Sequence, residues 1–333
     1  MSDSRTYKNL FFLGIGGIGM SALAQYFHRK GYQISGYDKV DTEVTQLLQE
    51  QGISVIYSGD NFSLPGHWKI AETAVVYTPA IPSSFSLYKQ LLGLGLNFHK
   101  RSEVLGWISQ EIPTIAIAGT HGKTTTTAIV SHALKSSGKK ILAFIGGIAS
   151  NYRSNIIMDE NPEFLVAEAD EFDRSFLRLH PKMAVVTSVD PDHLDIYGEA
   201  SELSKAFTAF TEQVEGPIFA HASTKSLLIK KGILFYDSSE RGIEEINYSN
   251  GKAHIHYRIE NESIKISWSV PGKHNALNAL AAICICKALE IPSQKIISAM
   301  ETFAGVKRRF ETILDQANKV LIDDYAHHPT EIA

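Results

Sequence analysis

Thr114-Ile-Ala-Ile-Ala-Gly119-Thr120-His121-Gly122-Lys123-Thr124-Thr125-Thr-Thr127 reads as a buried strand, a glycine turn and the opening of a helix. Ile115 to Ala118 is a short apolar run, the Gly-Thr-His-Gly turn breaks it, and Ala128, Ile129, Val130, Ala133 and Leu134 continue as a helical stripe. Glycines let backbone N–H groups turn toward an anion, and the helix N-terminus adds a positive dipole. A lysine then reaches terminal phosphates, and the hydroxyl after it can ligate Mg²⁺. The residues Gly119, Thr120, His121, Gly122, Lys123, Thr124 and Thr125 are therefore expected to cradle ATP or GTP. The general spacing G-x-x-x-x-G-K-[ST] asks for glycine at the position held by Ile117, so the loop here is a shortened form.

The 333 residues, 44% hydrophobic and 20% charged, suit a soluble globular protein long enough for two domains. A net charge of −4, with no basic run, argues against a nucleic-acid partner. Cys284 and Cys286 lie two apart in an apolar helical run and make neither a disulfide framework nor a metal knuckle. Residues 1 to 9 lack a signal-peptide core, and no run of about 18 apolar residues occurs. The expectation is a cytoplasmic protein with no membrane partner, monomeric or homodimeric.

Leu10 to Leu13 is a strand, followed by Gly14-Ile-Gly16-Gly17-Ile-Gly19, a helix ending at Gly31, and a strand from Tyr32 to Tyr37 closed by Asp38. This is G-x-G-x-x-G with an acid about 20 positions on, an arrangement that binds a diphosphate and a ribose hydroxyl. Further βα alternation follows: a helix over 42–51, strands over 53–56 and 73–78, a helix over 86–94, a strand over 96–99 and a last helix from Arg101 to Ile108. Residues 1–106 are thus expected to form a Rossmann-like domain.

Residues 107–306 read as a P-loop domain with a parallel sheet and a small antiparallel sheet. Its strands include Lys140 to Ile145, ending in Gly146-Gly147, then Phe164 to Ala169 and Lys182 to Val189. Glu168, Asp170, Glu171 and Asp173 crowd one strand end, and Asp190, Asp192 and His193 close another. Such a cluster beside a phosphate loop suggests Mg²⁺. From Gly216 to Val270 short alternating runs suggest antiparallel strands, with Asn250-Gly251 as a hairpin turn. His274-Asn275-Ala-Leu-Asn278 opens a helix apolar nearly all round, hence buried. Asn275 and Asn278 share a face and can offer amides to a base, although a plain capping role suits Asn275 as well. Gly305 to Glu311 is a basic linker. Residues 307–333, with an isolated strand from Val320 to Ile322, read as the start of a truncated third domain, because one strand and a helix cannot bury a core.

GIGGIGM, AGTHGKTTT, EADEFDRSFL, VTSVDPDHLDIYG, PGKHNALNALAA, GVKRRFE and DDYAHHPTE, in this order and spacing, resemble the motifs of the Mur ligases of peptidoglycan synthesis. The resemblance spans the whole chain and departs at Phe172, where many relatives carry serine. It implies three domains, with ATP and Mg²⁺ as cofactors and UDP-N-acetylmuramate and L-alanine as substrates. ATP would phosphorylate the lactyl carboxylate, and the acyl phosphate would be attacked by the amine of alanine.

By the same resemblance Lys123 holds phosphates, Thr124, Glu168 and His193 ligate metal, and His274, Asn275 and Asn278 contact adenine. Gly14, Gly16, Gly17, Gly19 and Asp38 bind the UDP moiety. Arg308, Tyr325 and His328 reach substrate, and Lys123, Glu168, His193 and Arg308 form the catalytic set. Metal binding through His193 should weaken at acid pH. A chain ending here is expected to bind the UDP-sugar but turn over poorly. Three rivals are a murein-tripeptide recycling ligase, an NAD-dependent dehydrogenase and a non-catalytic nucleotide-binding regulator; the second leaves the Gly-Lys-Thr loop and the strand-end acids without a use, and the paired Mg²⁺-type ligands argue against the third.

Overall fold

The computed structural model describes residues 7–60, 62–190, 200–316 and 319–326. The chain divides into two compact units, Met1–Glu111 and Ile112–Ala333.

In the first unit, β1 (Asn9–Leu13), α1 (Ile18–Arg29), β2 (Gln33–Tyr37), α2 (Glu43–Glu50) and β3 (Ser54–Ile56) alternate, followed by β4 (Thr73–Tyr77), α3 (Ser86–Gly93), β5 (Asn97–Lys100) and α4 (Arg101–Glu111). The last helix runs beyond Ile108 to Glu111. All five strands are parallel, in the order β3-β2-β1-β4-β5. Strand order reverses between β1 and β4, which puts Gly14 at the switch point where open α/β sheets bind ligands. β1 is buried along its whole length, which is why it reads as an unbroken apolar run. Its Phe11 and Leu13 share one core cluster with Val75 of β4 and with Leu87 and Leu91 of α3. Helix α2 starts sharply because Thr42 and Thr45 form a reciprocal capping box.

The second unit is built on a seven-stranded sheet ordered β12-β11-β10-β6-β9-β7-β8. Its strands are β6 (Thr114–Ala118), β7 (Ile141–Ala149), β8 (Ser154–Met158), β9 (Phe164–Ala169), β10 (Pro181–Val186), β11 (Ile218–His221) and β12 (Leu234–Tyr236). Helices α5 (Lys123–Ser136) and α6 (Ala200–Gln213) are interleaved. Three features depart from the sequence reading. β7 does not stop at the glycines but continues through Gly146 and Gly147 to Ala149. Its partner β8 runs antiparallel, so the sheet is mixed rather than purely parallel. The stretch from Gly216 is not wholly antiparallel, because β11 and β12 extend the large sheet in parallel fashion.

β13 (Arg241–Ser249), β14 (Lys252–Ile259) and β15 (Glu262–Trp268) then form the antiparallel sheet. The β13–β14 turn places Asn250 and Gly251 at φ 52° and 72°, the left-handed pair that a two-residue hairpin demands. α7 (Lys273–Ala288) packs on α5 and on this sheet, with α8 (Ser293–Thr302) alongside. Ala279 through Cys286 are all buried, and Tyr257 Oη donates to the Ala276 carbonyl at 3.0 Å. Burial also pushes the Cys284 and Cys286 thiols up to about 12, so both stay protonated and inert. Finally, the strand over 320–322 is not isolated: β16 (Glu311–Gln316) pairs antiparallel with β17 (Lys319–Asp323).

His132 on α5 lies between Tyr152 Oη at 2.9 Å and Thr302 Oγ1 at 3.0 Å. Burial holds its pKa below the ordinary 6.5. The folded chain therefore binds fewer protons here than the unfolded one, and stability is lost as pH falls below about 6.5. His132→Gln is expected to remove that part of the acid sensitivity, read as a smaller gap between the denaturant midpoints of variant and wild type at about pH 5.5 than at about pH 7.5.

Candidate active site

The phosphate loop joins β6 to α5. Gly119 sits at φ 137°, and a Cβ there would lie 2.0 Å from Thr187 Oγ1. Gly122, at φ 79°, caps α5 and lies so close to Asn278 that a Cβ would meet its Oδ1 at 2.7 Å. The loop is tied to the end of β10. Thr120 N–H donates to the Ser188 carbonyl at 3.1 Å, His121 N–H donates to Ser188 Oγ at 2.9 Å, and Asp190 N–H donates to Thr120 Oγ1 at 3.1 Å.

Lys123 Nζ donates to both carboxylate oxygens of Glu171, at 2.9 and 2.8 Å, and to the Gly119 carbonyl at 2.6 Å. Glu171 is fully buried. Burial works against the Lys123 charge, but Glu171, Asp170 and Glu168 outweigh it and raise the lysine's pKa, so the ammonium persists. One strand away, Gly146 N–H donates to Glu168 Oε1 at 2.6 Å. A Cβ at Gly146 would stand 2.5 Å from that oxygen, so only glycine admits the carboxylate. Burial pushes the Glu168 pKa up; Gly146, Lys123 and the Thr124 hydroxyl pull it back only in part. Thr124 and Glu168 thus present hard oxygen donors side by side, the chemistry that Mg²⁺ prefers. Among the described residues no group of three or more His, Cys, Asp or Glu side chains is arranged to hold a metal. His193 lies outside them.

A cavity of about 630 Å³ opens beside the loop. It is lined by His121, Gly122 and Thr125 of the loop and the start of α5, by His274, Asn275 and Asn278 of α7, by His221 and Tyr236 from the ends of β11 and β12, and by Arg309, Phe310 and Asp324. Asn275 is not the helix cap; Gly272 is, and the Asn275 amide donates to the Pro271 carbonyl at 2.7 Å. One of its two amide protons is thereby spent on fixing the start of α7. Asn278 keeps its carboxamide at the loop. Burial lowers the His274 pKa, and Asp324 opposes this.

Arg308, named from sequence, is not among the residues lining the cavity: it pairs with Asp323 at 3.6 Å and stacks 5.3 Å from the Tyr325 ring. Its neighbour Arg309 reaches the cavity. The left-handed turns at Arg308 and Phe310, φ 59° and 53°, decide which arginine faces inward, and neither is announced by a glycine. Tyr325 is half-exposed and His328 falls outside the described residues. Sequence reasoning also missed Ser188, His221 and Tyr236. They stand at the carboxyl ends of β10, β11 and β12, and the strand-end rule would have found them had β11 and β12 been assigned to the large sheet.

In the first unit the glycine turn follows β1. Gly14 takes φ 82° under Thr78 and Ile81, whose nearest atoms would lie 3.7 and 3.6 Å from a Cβ. Gly17 caps α1, and Gly19 in its first turn faces the Arg101 guanidinium, 3.0 Å from where a Cβ would be. Asp38, expected at a ribose hydroxyl, accepts the Gly16 N–H at 2.7 Å and the Val40 N–H at 3.2 Å. Gly16→Ala would drive a methyl to 2.8 Å from Asp38 Oδ2. The variant is expected to weaken binding of a uridine diphosphate sugar by about tenfold or more in calorimetric titration, given a steric cost of about 1–3 kcal/mol.

Residues 9–112 match the catalytic domain of the Mur ligase family and residues 117–286 the Mur ligase middle domain. Across its whole length the chain is 42% identical to a UDP-N-acetylmuramate–L-alanine ligase of Christiangramia forsetii, covering 74% of that protein. It is 43% identical to the same enzyme of Flavobacterium psychrophilum, over 97% of this chain and 72% of the relative. Among solved structures, the UDP-N-acetylmuramate–alanine ligase of Thermotoga maritima matches with a TM-score of 0.86 at 29% identity, over 97% of this chain and 75% of that one. A murein peptide ligase of Psychrobacter arcticus follows at 0.78 and 25%, over 98% and 74%. With two family domains matched in series over the two units just described, the chain belongs to the Mur ligase family.

Proposed function

We propose that this chain is an ATP-dependent amide ligase that joins L-alanine to the lactyl carboxylate of UDP-N-acetylmuramate. The observation that carries the reading is the Lys123 loop, its ammonium paired with the buried Glu171 carboxylate beside the cavity, in a chain at least 42% identical to two alanine-adding enzymes. The γ-phosphoryl group passes to the carboxylate, and the amine of alanine attacks the resulting acyl phosphate. Phosphate then leaves from the tetrahedral intermediate.

There is little covalent chemistry for the protein in such a sequence, so positioning and charge stabilisation dominate. Lys123 and the loop N–H groups neutralise charge on the transferring phosphoryl group. Asn278 and His274 orient the base, Asn275 secures the helix that carries them, and Arg309 lines the same cavity. Thr124 and Glu168, with His193, would hold Mg²⁺, which when bound supplies positive charge at the phosphates. The glycine turn of the first unit takes the diphosphate of the UDP-sugar. This division of labour gives three functional domains, the first ending with α4 at Glu111 rather than at 106, the second running to 306 and the third from 307 onward, with a cytoplasmic site of action.

Thermal unfolding with UDP-N-acetylmuramate, Mg²⁺-ATP and NAD in turn tests the reading. Each of the first two ligands, at about a hundred times its dissociation constant, is expected to add about 2.7 kcal/mol of stability. A shift with NAD and none with the UDP-sugar would sink it. Competition between L-alanine and a murein tripeptide for acyl transfer separates the recycling alternative, which the alanine-ligase identities disfavour.

A further inference from the structure

An ammonium group has three protons to give. Those of Lys123 have four acceptors within reach: Glu171 Oε1 and Oε2 at 2.9 and 2.8 Å, the Gly119 carbonyl at 2.6 Å and the Thr120 carbonyl at 3.3 Å. No donor is left over for a phosphate. Glu171 is also the less movable partner, since its side chain is 0% exposed while that of Lys123 is 16% exposed. The turn that carries it is held by two backbone bonds, Arg174 N–H to the Glu171 carbonyl at 2.9 Å and Phe176 N–H to the Asp170 carbonyl at 2.8 Å. Asp173 and Arg174 within that turn both take φ 53°, a conformation that residues bearing side chains seldom adopt.

We propose that Glu171 is a positioning residue for the nucleotide site: its carboxylate holds the Lys123 ammonium against the loop, and an arriving phosphate has to take that ammonium from it. This rests on the reading of the loop as a nucleotide site. A terminal phosphate bearing two negative charges competes for the ammonium better than one bearing a single charge, so the pair sets a threshold of charge for binding. Asp170 and Glu168 also bear on Lys123 electrostatically, whereas Glu171 is the carboxylate that takes two of its protons. Charge repulsion alone and retention of the lysine therefore predict different variants to matter.

The test is calorimetric titration with ADP in metal-free buffer containing chelator, on wild type, Glu171→Gln and Asp170→Asn. Glu171→Gln is expected to tighten ADP binding by about tenfold, because it gives up the ammonium cheaply, while Asp170→Asn changes it by less than about twofold. A merely structural role for Glu171 would weaken binding, not strengthen it. Unchanged or weaker binding in Glu171→Gln, or equal tightening in both variants, would overturn the proposal. Should Glu171→Gln fail to fold, Glu171→Asp keeps the charge but withdraws it by one methylene, and about threefold tightening is expected; none would equally overturn it. Absence of ADP binding by the wild type would remove the nucleotide-site reading itself, and the proposal with it.

Discussion

Lys123→Met is expected to abolish stabilisation by Mg²⁺-ATP, to take the chain's alanine-dependent phosphate release, already expected to be low, below detection, and to weaken the fold. The last effect is the less obvious. Glu171 is fully buried and Lys123 supplies its counter-charge, so the methionine leaves a carboxylate in a low-dielectric interior without its ammonium. Breaking one side of such a pair costs about 3–5 kcal/mol, whereas replacing both partners is often close to neutral. Lys123→Met combined with Glu171→Gln should therefore recover most of the lost stability while recovering none of the turnover. Denaturant unfolding of the single and double variants reads the first effect and phosphate release the second. A single variant as stable as wild type would mean that the pair contributes nothing to holding the loop.

Gly119→Ala is the second variant with a large expected effect. At φ 137° a side chain is already strained, and the new methyl would lie 2.0 Å from Thr187 Oγ1, 2.9 Å from the Ser188 nitrogen and 3.0 Å from the Thr187 nitrogen. The last two contacts are with backbone of the neighbouring strand end and cannot be relieved by a rotamer change. A cost of about 3 kcal/mol or more follows, lowering the unfolding midpoint by roughly 5–10 °C. Gly138→Ala is the matched control, because Gly138 takes φ 93° with nothing within 4 Å of its Cβ position. It should cost only about 1–2 kcal/mol, the backbone term alone. Equal losses at the two positions would show that the clash at Gly119 is absorbed.

Much of this architecture was legible from residue order. The β6–α5 loop, the first unit's alternation and the buried α7 each rest on local signals: a glycine turn after an apolar run, a period of 3.6, a strand buried on both faces. The missed parts depend on partners far away in sequence. β8 has no local mark of being antiparallel, since Ser154–Met158 is as apolar as a parallel strand. β11 and β12 lie near alternating hairpin strands and took on their reading, although they pair with β10 and with each other. In the site, the phosphate loop was read from spacing and Glu168 only as one of a cluster of acids, while which of Arg308 and Arg309 lines the cavity goes with two left-handed residues that no glycine announces. Glu171 stood among several acids, and only burial distinguishes it from Asp173. Asn275 carries the chemistry for a base contact, and that one of its amide protons goes to a carbonyl four residues earlier is not visible in the sequence.

The ties between the loop and the end of β10 have a consequence for anyone who would rebuild this site. Thr120 and His121 are bonded to Ser188, Asp190 is bonded back to Thr120, and Thr187 N–H reaches the Ala118 carbonyl at 2.9 Å. The loop's outline is therefore written in two places of the chain about seventy positions apart. Grafting residues 119–125 from another nucleotide-binding protein would bring half of a template and leave the host's other half to contradict it. A working transplant has to carry residues 187–190 as well, so the unit of exchange between such proteins is a matched pair of segments.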